Sequence, residues 1–169
     1  MKVPLRPAAW VAGSILTLMV GAAAPASAET VVRDDPTGDA PERIDVTRAR
    51  YTHTDDQIRV VARVPELGDA GTAALSISRF GIFEAGYVVQ IRKRPDEQPR
   101  ARLLFFNHFD FEPRRCADVS GTWGQRRVTL VVDRSCLTGH ARRHVFAQFG
   151  IQHGQQVDRA SAVRRLARS

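Results

Sequence analysis

The chain reads as all-β, a two-sheet antiparallel β-sandwich of jelly-roll-like build with eight or nine strands. Three observations predict this class. Apolar and polar residues alternate in short runs. Turn residues divide those runs roughly every eight to twelve positions. No segment carries an apolar stripe at helical spacing over three turns, which argues against an α/β fold.

The first element stands outside the sandwich. Residues 1–28 read as a secretory signal peptide: Lys2 and Arg6 give a positive start, residues 8–24 are apolar and uncharged, and Ala26-Ser27-Ala28 is a small-residue cleavage site. Cleavage after Ala28 would begin the mature chain at Glu29 and make it a secreted, extracellular protein. The apolar run falls short of the roughly 20 residues of a spanning helix. No later segment is apolar enough to cross a bilayer, so no transmembrane segment is expected. The mature length is 169 − 28 = 141 residues, one domain able to bury a core of its own. The sandwich is expected over 29–153, with 154–169 as a basic C-terminal segment, read as an edge strand, a short helix or a tail.

Within the domain, 30–33 and 44–53 are the first strand candidates. Ile58, Val60, Ala62 and Val64 then alternate with Arg59, Val61 and Arg63 at a two-residue period. The connector Thr54-Asp55-Asp56-Gln57 suits a tight turn, so 44–53 and 58–64 should pair as a hairpin. Further strands are expected at 74–80, 87–93 and 101–106. Leu103, Leu104, Phe105 and Phe106 are dense enough to be buried on both faces. Residues 107–113 read as an irregular, aromatic-rich connection. A second hairpin is expected from 116–123 and 127–132, and a last strong strand over 144–151.

Cys116 and Cys136 are the only thiols. In an exported chain they allow one intramolecular connectivity, a Cys116–Cys136 disulfide of structural role. If the two face each other, the second hairpin takes a register with Thr122 opposite Leu130 and Ser120 opposite Val132. Alternatively Cys136 sits on a short turn or helical turn over 134–139.

Charge is uneven along the chain. Residues 29–69 hold ten acidic and six basic side chains, whereas 70–169 hold eight acidic and seventeen basic. Of the 25 basic residues only Lys2 and Lys93 are lysine, a bias that fits a GC-rich genome and is not read first as nucleic-acid binding. Basic clusters recur at Arg92/Lys93/Arg94, Arg114/Arg115, Arg126/Arg127 and Arg142/Arg143. Converging in space, they would attract an anionic wall polymer or an acidic envelope glycan; dispersed, they are a solvated surface.

The densest polar constellation is Asp34, Asp35 and Asp39 around Pro36 and Gly38, followed by Asp45. The turn gathers carboxylates, and Ca²⁺ takes six to eight oxygen ligands. Asp34, Asp35, Asp39 and Asp45 are therefore a candidate Ca²⁺ site, beside the plainer reading of a solvated acidic turn. Trp123, with Arg126 and Arg127, is a candidate ligand-binding group: its indole either stacks on a sugar or covers one end of the core.

The Asp35-x-x-Gly38-Asp39 stretch, Asp45-Val46 and the hairpin through Val64 resemble the opening of DOMON-like and family-9-type carbohydrate-binding sandwiches. With Arg115-Cys116 and Arg134-Ser135-Cys136-Leu137, the chain is also similar to uncharacterised secreted β-sandwich proteins of GC-rich Gram-positive bacteria. The resemblance implies an extracytoplasmic sandwich with calcium and a glycan or other ligand. It departs in lacking aromatic platforms, since Trp10 falls in the leader and Trp123 is the remaining tryptophan.

Catalytic patterns are weak. No histidine pair forms HExxH, and no serine sits in GxSxG. The expectation is a non-catalytic binding or structural module at the cell envelope, with no nucleic-acid partner. The alternative is a glycan-acting enzyme using Asp110 and Glu112 as paired carboxylates.

Overall fold

A computed structural model describes residues 29–79, 84–139 and 143–168. The leader expected over residues 1–28 lies outside them, as do His140 and Arg142. Two antiparallel sheets pack face to face, and no α-helix occurs among the described residues.

The five-stranded sheet has the order β1-β2-β3-β9-β8: β1 (Glu29–Asp34), β2 (Arg48–His53), β3 (Gln57–Arg63), β9 (Arg127–Asp133) and β8 (Val119–Trp123). The seven-stranded sheet runs β11-β10-β4-β5-β6-β7: β11 (Gln156–Arg159), β10 (His144–His153), β4 (Gly71–Arg79), β5 (Ala85–Lys93), β6 (Arg100–Asn107) and β7 (Asp110–Arg114). Its seventh strand, β12 (Val163–Ala167), also pairs with β10, beside β11.

The two-residue period sets which side chains enter the core. Ala49 and Tyr51 of β2, Ile58, Val60 and Ala62 of β3, and Val128, Leu130 and Val132 of β9 are buried from one sheet. Leu75, Ile77, Val89, Ile91, Leu103, Phe149 and Ile151 meet them from the other. Of the dense run, Leu103 and Leu104, successive and therefore on opposite faces, are both buried, whereas Phe105 and Phe106 are half-buried.

The structure corrects several details of the sequence reading. The described residues hold twelve strands, because 107–113 holds a tight hairpin leading into β7 and the C-terminal segment contributes two strands. Of the three readings of the C-terminal segment the edge strand holds over the described residues to 168: β11 and β12 both pair with β10, and Ala160, Val163 and Leu166 are buried in the common core. Residues 44–47 are not strand, although Ile44 and Val46 are buried.

The second hairpin is shifted by one residue from the cysteine-facing register. Thr122 lies opposite Thr129, and Gly121 opposite Leu130. The reason is the pleat: this register puts Val119, Gly121 and Trp123 on the same face as Val128, Leu130 and Val132. Cys136 accordingly leaves the ladder and sits on the 3₁₀ turn Arg134–Cys136. It is joined to Cys116 with a Cα–Cα distance of 5.8 Å. The disulfide pins the crossover from β7 to β8 against the exit of β9.

Candidate ligand face and acidic cluster

The outer face of the five-stranded sheet is a grid of named side chains fixed by strand register. One rung across the strands reads Asp34, Arg48, Arg63, Arg127. The next reads Val32, Arg50, Val61, Thr129, Thr122. The third reads Thr30, Thr52, Arg59, Val131, Ser120. Neighbours on a rung are about 4.8 Å apart and successive rungs about 6.6 Å apart. Arg126, in the β8–β9 turn, joins the edge of this face.

The surface holds a shallow concavity of about 810 Å³, to which Arg48, Arg50, Arg59, Arg63, Arg126 and Arg127 all contribute. Arg48 is paired with Asp34 at 2.6 Å. The other five have no ion-pair partner among the described residues. Arg48, Arg63 and Arg127 stand directly opposite one another on three adjacent strands, an arrangement in which like charges repel. The outer side of the opposite sheet is mixed: Val88, Leu104, Phe106 and Phe111 lie toward one end, Arg92 stands opposite Arg100, and Arg102 is bonded to Gln90.

Arg126 and Arg127 were legible as ligand candidates in the sequence; Arg48, Arg50, Arg59 and Arg63 were not. Their signal was present, as arginines two or four apart within alternating runs, yet it was masked by counting them in an acid-rich stretch of chain. Arg92, Lys93 and Arg114 belong to the seven-stranded sheet, away from Arg126 and Arg127. Of the two readings of Trp123, the geometry is that of the core cover. It points inward from β8, its indole N–H donates to the Gly68 carbonyl at 2.8 Å, and its ring lies over Gly71. The indole is held as a cover on the core.

The predicted Ca²⁺ quartet is rearranged. Asp34 faces the arginines. Asp35 and Asp39 come together with Asp158 of β11, each offering a carboxylate oxygen within 4.8 Å of the others. Asp158 was not among the sequence candidates, because 119 residues separate it from Asp39 and only the β10–β11 hairpin carries it back. Asp45 shapes the loop: its Oδ2 accepts from Gly38 N at 2.9 Å, where Gly38 has φ +85°.

The remaining bonds tie this loop to the C-terminal strands. Asp158 Oδ2 accepts from Val46 N at 2.7 Å, and Asp35 Oδ1 accepts from Ser161 N and Oγ. Burial pushes the Asp158 carboxyl above the usual carboxylate range; bonds from the Val46 and Arg159 amides oppose that shift, and the charges of Asp35 and Asp39 add to it. Asp45 Oδ1 is buried without a hydrogen-bond partner.

Asp110 and Glu112 lie on β7, fully at the surface, with Glu112 paired to Arg114 at 2.8 Å. Neither lines the concavity of the arginine face. No family model matches the chain, and neither a curated protein nor a solved structure matches it. The disulfide is consistent with an extracellular protein, and no helix among the described residues is long and apolar enough to cross a membrane.

Proposed function

We propose that the protein is an exported, non-catalytic binding module whose ligand is an anionic polymer of the cell envelope, held on the arginine face of the five-stranded sheet. One observation carries this reading. Arg48, Arg63 and Arg127 occupy one rung with a single carboxylate, Asp34, at its end. Facing like charges destabilise a sheet, and such a local conflict is expected where function requires it. The guanidinium fork suits phosphate and carboxylate oxygens, and a concave surface of one charge sign concentrates polyanions.

The acidic cluster supports a second element of the reading, a loop stabilised by Ca²⁺. Asp35, Asp39 and Asp158 supply hard oxygen donors, and the buried, unpartnered Asp45 Oδ1 belongs to the same loop. Three carboxylates gathered so closely repel unless a cation or a proton joins them. Calcium here would be structural, since it would bridge the loop after β1 to β11.

The test is retention on immobilised polyanions. Wild type should be retained and released by salt, and Arg63→Glu with Arg127→Glu should flow through. Arg100→Glu with Arg102→Glu, on the opposite sheet, should behave as wild type. Equal retention of all three would remove the assignment of the arginine face.

A further inference from the structure

Given that reading of the arginine face, we infer that its ligand is a polyol phosphate, a chain of phosphodiesters joined by open-chain, hydroxyl-bearing units. The inference rests on what accompanies the arginines. Thr30, Thr52, Thr122 and Thr129 line the same concavity, interleaved with the guanidinium groups through the strand register. The face therefore offers cationic forks and neutral hydroxyls side by side. A hydroxyl both donates and accepts, so it matches the alcohol groups of a ligand backbone as the forks match its anions.

The second observation is what the face lacks. No aromatic side chain lines the concavity among the described residues. Trp123, the one ring nearby in sequence, is turned into the core and bonded to Gly68. Binding of single-stranded nucleic acid uses aromatic stacking on bases. Sugar rings likewise present apolar faces to aromatic platforms. An open-chain polyol phosphate has neither base nor ring, and it needs only charge and hydroxyl contacts.

The third is geometry. The backbone positions that carry Arg48, Arg63 and Arg127 recur about every 4.8 Å across β2, β3 and β9, and those of Arg48 and Arg50 lie about 6.6 Å apart along β2. Arginines on adjacent strands are close enough for one phosphate to accept from two of them. That sharing offsets the repulsion along the rung, and a phosphodiester has two unesterified oxygens with which to do it.

The experiment separates charge from hydroxyl recognition. Binding of poly(glycerol phosphate), inorganic polyphosphate, polygalacturonate and oligo-dT is measured by calorimetry for wild type, for Thr52→Val/Thr129→Val and for Arg63→Glu. The inference expects poly(glycerol phosphate) to bind tightest. The valine pair should weaken it about tenfold, as the loss of two hydrogen bonds implies, and leave polyphosphate, which has no hydroxyls, unchanged. Arg63→Glu should weaken every polymer. Polygalacturonate or oligo-dT binding as tightly as poly(glycerol phosphate), or a valine pair without effect on it, would overturn the inference while the arginine reading stood. If no polymer binds wild type, or Arg63→Glu changes nothing, both fall.

Discussion

The hydroxyl of Tyr51, at the centre of β2, accepts a hydrogen bond from the backbone N–H of Phe149 in the opposite sheet, at 3.0 Å. β10 is paired by β12 over its first half and by β11 over its second, and the ladder to β12 shifts between Val145 and Ala147. Phe149 N lies beyond that shift, and a side chain from across the core satisfies it. The same hydroxyl lies 3.4 Å from the Ser161 carbonyl, and burial pushes its pKa to about 12.

Tyr51→Phe should therefore cost about 1–3 kcal/mol, the range for leaving a buried amide unsatisfied. Urea unfolding measures it directly. A loss below a few tenths of a kcal/mol would mean that water or a shifted backbone replaces the bond.

His53 predicts how stability depends on pH. It is fully buried, its Nδ1 faces the Leu166 carbonyl at 3.4 Å, and Nε2 has no partner. Burial lowers its pKa from 6.5, with Arg134 and Arg168 acting in the same direction and the Leu166 carbonyl and Glu29 opposing them. The unfolded chain thus binds a proton more readily than the native state. Stability is retained above the unfolded value of 6.5 and falls as pH drops from there toward the lower folded value. Unfolding free energies between about pH 7.5 and about pH 5 should decline in wild type, and the decline should be shallower in His53→Asn.

The disulfide closes a separation of 20 residues. Cys116→Ala with Cys136→Ala should lower stability by about 3 kcal/mol on the chain-entropy estimate, without altering polymer binding, because neither cysteine touches the arginine face. Thermal melts and the retention assay check the two halves of this statement separately.

Calcium should raise the melting temperature of wild type at millimolar concentration and leave Asp158→Asn with Asp39→Asn unmoved. Burial and the neighbouring carboxylates raise the Asp158 pKa. Without a cation, its contribution to stability is present below the ordinary unfolded value of 3.8 and lost as pH rises through the folded value. Bound calcium should remove that loss. An equal calcium response in the double variant would assign the effect to other groups.

The fold class was legible because strand period and burial agree almost everywhere, as in β3, whose Ile58, Val60 and Ala62 are all buried. Register was less legible. The cysteines suggested one alignment of the second hairpin and the inward-facing Gly121 and Trp123 required another. The site was the least legible part. The arginine grid exists only once β1, β2, β3, β9 and β8 lie side by side, and Asp158 reaches Asp35 only through the final hairpins. Linear charge counts hid both, since the front of the chain is acidic in its loops and arginine-rich on one strand face.

The arginine rung as a functional feature is tested most directly by Arg63→Thr, measured for both stability and affinity. Removing the middle charge relieves repulsion from Arg48 and Arg127, so unfolding free energy should rise by about 0.2–1 kcal/mol. Affinity for poly(glycerol phosphate) should fall in the same variant, with a shallower dependence on salt. A variant that is less stable and binds as wild type would contradict the account.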